Sequence, residues 1–165
     1  MGDITLRFSK EYDIYLVAED NDLYQLLLDG VYMYSPKTRR LFSGRSFKEK
    51  YKIDPDKWSM VKSIMGCAGD EVPGVPGIGP GRAIAYLNGE LKKTSNHYKA
   101  IEKNWGLIKR NIELVHLPHH GTPETKLYED EVTLDKFIDF CQTNSLWGIS
   151  KVDKRKIWKE ILCNG

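Results

Sequence analysis

Twelve residues, Val72 to Ala83 (VPGVPGIGPGRA), restrict this chain more than any other stretch. Glycines at 74, 77, 79 and 81 alternate with prolines at 73, 76 and 80, so no ordinary helix or strand runs through them. Glycine admits positive φ and, lacking a Cβ, lets another molecule approach the backbone closely. The segment ends where Arg82 opens a predicted helix over 82–88, and amides at a helix start point outward toward an anion. Such a bend suits sequence-independent contact with a phosphate backbone, Arg82 adding a charge-assisted bond. Carbonyl oxygens on the same turn offer a seat for a monovalent cation. A plain connector between two helices is the competing account, and the helix-flanked spacing favours the grip.

Elsewhere the pattern is that of a mixed chain. Ile14 to Ala18 (IYLVA) is a short apolar, β-branched run and reads as a buried strand. Leucines at 23, 26 and 27 predict a short helix over 20–28, capped by Asp20 or Asn21. Val31 to Tyr34 reads as a strand pairing with Arg39 to Phe42 across the SPKT turn. Helices are predicted at about 47–51, 55–65, 98–112, 134–143 and 151–162. The stretch HLPHHGTPETKLYEDE reads as an extended linker. The fold class is therefore an α/β front followed by a mainly α-helical region, divided into residues 1–65 and 66–165.

Composition narrows the partners. Lysine and arginine number 25 against 23 acids, a net charge of +2, so any nucleic-acid site is a local patch. Cys67, Cys141 and Cys163 are odd in number, with no CxxC pair, which suits reduced thiols. The N-terminus carries no basic start followed by an apolar core, and no run reaches 18 apolar residues. The sequence predicts a cytoplasmic protein with no membrane partner.

Two acidic groups stand beside the bend. Glu19-Asp20-Asn21-Asp22 follows the IYLVA strand, and ligands gather at the carboxyl ends of strands in α/β sheets. Asp20 and Asp22 together reach one divalent cation, and their hard oxygens suit magnesium or manganese. An acidic turn capping a helix explains the same two residues. Asp70 with Glu71, just before the bend, reads as a further ligand or as a turn-forming pair.

Taken in order, VAEDNDLYQLL and SIMGCAGDEVPGVPGIGPGRA resemble the flap endonuclease (5′→3′ exonuclease) family of phage and bacteria. The former looks like that family's strand, Asp-x-Asp and Leu-Gln-Leu helix. The latter looks like its helix–hairpin–helix, or helix–three-turn–helix, segment. The resemblance covers about Asp13 to Asn88 and implies that the front is the C-terminal part of a PIN-like nuclease sheet. It implies that Asp20, Asp22 and Asp70 are metal ligands in paired-metal phosphodiester hydrolysis. It further implies that Gly74, Val75, Gly77, Ile78, Gly79, Gly81 and Arg82 grip duplex DNA, with potassium on the carbonyls. The expected role is replication or repair of branched, nicked or flapped DNA.

Three departures qualify this. The family's N-terminal half, with its first carboxylate cluster, is missing. Cys67 stands where many members place another Asp, and Gly81 stands in place of a usual lysine. The expectation is a chain weak or inactive as a nuclease by itself, completed by a separately encoded N-terminal half, as a split phage gene would provide. A non-catalytic DNA-binding accessory module is the alternative. His116, His119 and His120 lack a partner cysteine and read as a polar surface loop, and Trp105, Trp147 and Trp158 as packing residues. The basic face of the tail KVDKRKIWKEIL reads as a solvated helix.

Overall fold

A computed structural model describes residues 1–127, 132–148, 151, 155–156 and 158–159. It divides into two compact units, Met1–Thr125 and Lys126–Gly165.

The first unit opens with helix α1 (Gly2–Phe8) and strand β1 (Ile14–Val17). Where a helix was expected over 20–28, the chain makes a tighter 3₁₀ turn at Asn21–Leu26. Asp20 lies in extended conformation and its side chain accepts from the Asp22 amide at 2.9 Å, a local bond that favours a short capped turn over a longer helix. Strands β2 (Val31–Ser35) and β3 (Arg40–Ser43) follow. They pair antiparallel across the expected turn, while β1 runs parallel to β2, giving the order β1-β2-β3.

Helix α2 (Gly44–Tyr51) starts at Ser43, whose hydroxyl accepts from the Ser46 amide. Helix α3 (Trp58–Met65) follows a proline-initiated turn. Tyr24, Phe42, Phe47, Tyr51 and Trp58 form an aromatic cluster with centroids 4.8–6.3 Å apart, each ring adding large buried area. Gly66–Cys67 (β4) and Val72–Pro73 (β5) form a small antiparallel ribbon. Helix α4 (Pro80–Leu87) then follows the glycine-rich bend.

The single helix expected over 98–112 is two, α5 (Asn96–Lys103) and α6 (Trp105–Val115). They part at Asn104, whose side chain turns back to the Ala100 carbonyl at 2.8 Å. Leu16, Met33, Phe47 and Ile64 share one core with Val75, Ile78, Ala83, Ile101 and Ile108. Position 65/66 thus marks a change of secondary structure, and the hydrophobic core runs across it.

The second unit contains α7 (Leu134–Thr143), capped by the Thr133 hydroxyl. Much of the tail helix expected over 151–162 lies outside the described residues. Trp58 is the deeply buried tryptophan, while Trp105 is at the surface and Trp147 is 61% exposed. Phe137 and Trp158 rings lie 4.9 Å apart. Among the described residues no helix is long and apolar enough to cross a membrane.

Of the described glycines, Gly74 is the most closely packed. A Cβ there would lie 2.0 Å from the Met65 carbonyl oxygen, whereas one on Gly81 would meet nothing within 4 Å. Replacing Gly74 by Ala should cost about 3 kcal/mol, and Gly81→Ala well under 1 kcal/mol, as read from denaturant midpoints.

Tyr86 ties α4 to α5 by donating to Glu102 Oε1 at 2.6 Å. Burial, then that bond, pushes its phenol up to about 12 from an ordinary 10.0. A folded value above the unfolded one means stability is full below pH 10 and falls between about 10 and 12. Tyr86→Phe should remove most of that slope in pH-dependent unfolding.

Candidate metal pocket and nucleic-acid bend

The pocket is built around the C-terminal end of α3. Lys62 on that helix lies largely buried and meets Asp22 Oδ1 at 2.5 Å. That oxygen is shielded from solvent and, the ion pair apart, has no hydrogen-bond donor among the described residues. Beyond α3, the β4 backbone places Cys67, 5% exposed, against the same group. A single 3₁₀ turn, Ala68–Asp70, then returns Asp70 to it. One ligand atom each from Asp22, Cys67 and Asp70 lies within 4.8 Å of the others.

Of the three predicted metal ligands, Asp22 and Asp70 are thus brought together. Asp20 lines the same cavity, of ≈ 270 Å³, while its Oδ1 also caps the 3₁₀ turn. The capping reading of the acidic turn is thus observed, and Asp20 stands outside the Asp22–Cys67–Asp70 group. Glu19 faces away, accepting from Ser35 Oγ and the Lys37 amide, which keep its carboxyl below the usual range. A larger cavity of ≈ 510 Å³, near Arg45 and Asp54, already has a paired charge in Lys48–Asp54 at 2.7 Å.

Charges inside the pocket act on one another. Burial pulls the Lys62 ammonium down, but the bonds to Asp22 and then to Cys67 outweigh it, leaving it raised. Burial pushes the Cys67 thiol up, with Lys62 opposing. Two carboxylates and a thiol within 4.8 Å of one another are a donor set that a divalent cation can use, though the Lys62 ammonium already holds one of the carboxylate oxygens.

Sequence reasoning missed two residues here. Gln25, buried, donates Nε2 to the Asp22 carbonyl at 2.8 Å and the Val115 carbonyl at 3.0 Å, and its Oε1 accepts from Leu117 N at 2.8 Å. It ties the acidic turn to a segment 90 residues away and brings exposed His119 to the cavity wall. Lys62 is the other. A lysine four residues after a helix start carries no sequence signal of burial, whereas a Gln inside a Leu-rich turn does hint at one.

The bend sorts its residues into two sets. Val75 and Ile78, expected at the phosphate, are turned into the core, 2% and 5% exposed. Their amides donate to Ile64 O at 2.8 Å and Val75 O at 3.1 Å. Apolar side chains among glycines and prolines serve as anchors, because core burial outweighs display at an aqueous surface. Gly74 packs on α3. Gly77, at φ +75°, with Gly79, Gly81 and Arg82, faces outward.

The first helical bond of α4 is Ala83 N to Gly79 O at 3.0 Å, so the Gly81 and Arg82 amides precede it and have no acceptor within the helix. Arg82 Nη1 donates to Gly77 O at 2.6 Å. Its guanidinium therefore sits on one of the carbonyls expected to seat a monovalent cation.

This geometry has known counterparts. A bacteriophage T5 protein co-crystallised with metal ions matches 70% of this chain and 48% of its own, at TM-score 0.62 and 29% identity. A bacteriophage T5 flap endonuclease, solved as a pseudo-enzyme–product complex with DNA and metal ions, matches at TM-score 0.61 and 28% identity, covering 70% and 47%. In sequence, a 5′-3′ exonuclease of Mycoplasmopsis pulmonis is 32% identical over 160 residues, 96% of this chain and 51% of that protein. The chain belongs to the 5′-3′ exonuclease family. A thermostable DNA polymerase I of Thermus thermophilus is also 34% identical over 136 residues, covering 81% of this chain and 14% of the polymerase. No protein-family profile matches. The chain spans about half or less of the length of the curated exonucleases it matches. The expected fold class, an α/β front followed by a helical region, is that of these structural neighbours.

Replacing Gln25 by Ala would strand the Val115 carbonyl and Leu117 amide. The loss should be about 3 kcal/mol, with hydrogen exchange quickening first around residues 115–119.

Proposed function

We propose that this chain is the DNA-gripping, acid-bearing part of a metal-dependent, structure-specific 5′→3′ exonuclease or flap endonuclease. Its substrates are branched, nicked or flapped duplexes met in replication and repair. One observation carries the reading: the outward bend and the acidic pocket leave the same end of α3, inside one compact unit. Duplex held by the bend would therefore run past the carboxylates. Support comes also from the phage T5 relative, solved with DNA and metal ions.

In this reading the amides of Gly79, Gly81 and Arg82 and the Arg82 guanidinium meet phosphates, independent of base sequence. Gly74, Val75 and Ile78 hold the bend rigid. A potassium ion on the bend would share Gly77 O with Arg82. Asp22 and Asp70, with Asp20 at the cavity wall, would hold a divalent cation such as magnesium or manganese. When bound, such an ion supplies Lewis acidity and an acidified water for phosphodiester hydrolysis. Lys62 keeps Asp22 in place, and Gln25 keeps the pocket wall closed.

These carboxylates are few for paired-metal chemistry, and completion requires others from further polypeptide, in the same protein or separately encoded. The outer edge of β1 suits an added strand. Among the described residues it is unpaired at the edge of the three-stranded sheet, with Tyr15 and Val17 exposed. A non-catalytic, duplex-binding accessory is favoured by one observation, the thiol and ammonium standing among only two clustered carboxylates.

Fluorescence anisotropy with nicked, flapped and single-stranded DNA tests the grip, and gel cleavage assays with magnesium or manganese, with and without an added N-terminal half, test the chemistry. Binding to nicked and flapped duplex with cleavage only on complementation is the expected result. Binding with no cleavage under any pairing selects the accessory, and no binding to any DNA overturns both. Arg82→Ala should weaken binding alike for all sequences and lower the salt slope by about 0.9, one phosphate contact.

A further inference from the structure

We infer that Lys62 is the pocket's own counter-ion: its ammonium competes with a divalent cation for Asp22 and so sets how tightly this chain takes such an ion. The inference deepens the reading above and rests on its acidic pocket being the cation site.

Position carries the argument. Lys62 lies near the end of α3 with its side chain 12% exposed, against 21% for Asp22. Its Nζ meets Asp22 Oδ1 at 2.5 Å, and that oxygen is closed to solvent, with no further donor among the described residues. The same ammonium acts on Cys67, whose ligand atom lies within 4.8 Å of those of Asp22 and Asp70. The fold therefore places a cation of its own among these groups.

A second cation at Asp22 meets that ammonium directly. A hard divalent ion binds a carboxylate oxygen at about 2.1 Å. With Nζ 2.5 Å from the same oxygen, the two cations would stand less than about 5 Å apart. Their repulsion at that distance far exceeds thermal energy even at an effective dielectric constant of about 20. An ion that takes Asp22 as a ligand has to push Lys62 aside, and a side chain so little exposed gives up its packing as well.

The other donors do not compensate. Asp20 Oδ1 already accepts from the Asp22 amide at 2.9 Å, Asp70 is exposed to water, and sulfur is a poor ligand for a hard ion. Asp22 is the ligand on which affinity turns, and Lys62 holds it. The bend, built from amides and Arg82, lies outside this competition, so its hold on duplex needs no divalent ion.

Manganese(II) is the probe, its free concentration followed by electron paramagnetic resonance, with melting temperatures recorded in manganese and in EDTA. Lys62→Met should bind manganese at least about tenfold tighter than the unaltered chain, and manganese should raise its melting temperature by more. Lys62→Arg keeps the charge and should behave as the unaltered chain. Adding Asp70→Asn to Lys62→Met should remove the gain, which places the ion in this pocket. Where circular dichroism shows Lys62→Met unfolded, Lys62→Gln, an uncharged donor, carries the same comparison.

Equal manganese affinity with and without the ammonium overturns the inference. So does the same gain in Lys62→Arg, or a gain that survives Asp70→Asn. Anisotropy with nicked and flapped duplex in EDTA separates the failures. Duplex binding with equal manganese affinities defeats this inference alone, and the expected ranking without duplex binding defeats the proposed grip alone. No manganese on any variant defeats this inference together with the metal-binding part of the proposed function.

Discussion

The contact of Gly74 with the last turn of α3 is the constraint on which the rest depends. At that point two backbones touch without an intervening side chain, and Val75 donates its amide to Ile64 O at 2.8 Å. Fully buried Asn111 closes the junction from α6, donating to Ser63 O at 3.0 Å and Pro73 O at 2.8 Å. The bend therefore leaves α3 in one direction. Because the same turn of α3 carries Lys62 and runs into Cys67, the pocket and the bend form one rigid piece. Removing Asn111's amide would leave two buried carbonyls unmatched, a far larger loss than the net worth of either bond.

In the proposed function, that coupling would let a nearly neutral chain hold a polyanion. A grip made from amides at the start of α4 needs little surplus of lysine, since each N–H is a fixed partial charge already aimed outward. Charged side chains enter once, at Arg82, which the Gly77 carbonyl orients. The pocket works in the opposite sense. Its carboxylates repel phosphate, and Lys62 neutralises only one of them. A cation bound there would, in the proposed function, both satisfy the acids and make the pocket hospitable to a phosphate backbone on the bend.

How much of this was legible followed from the range of each interaction. Local patterns read well: the β-branched run of β1, the β2–β3 pairing across its turn, and the bend that launches α4 all follow from neighbours in sequence. The break between α5 and α6 was hidden, because the apolar spacing continues through Asn104 and only a side-chain bond to Ala100 O reveals the interruption. Asp20 was ambiguous between cap and ligand for a physical reason, since the same carboxylate both caps the turn and lines the cavity. Val75 and Ile78, expected at the phosphate, serve instead as anchors, since apolar side chains among glycines and prolines gain more from the core. Lys62 lay beyond sequence and Gln25 offered only the hint of a Gln in a leucine-rich turn, as their partners stand 40 and 90 residues away.

Grip and chemistry are consequently open to change in different ways. A grip of this kind would work through backbone geometry, so the bend's outward positions would tolerate substitution as long as the anchors and the Gly74 contact survive; glycine at 81, with empty space around it, is one such position. The pocket, by contrast, presents side chains, and its chemistry changes with each of them. Cys67 pairs with Val72 through the backbone of a two-residue ribbon, and that pairing is indifferent to what the side chain carries. An aspartate or a cysteine at this position is held in the same place by the same bonds. The ribbon can therefore carry either side chain at position 67 without moving the bend that follows it.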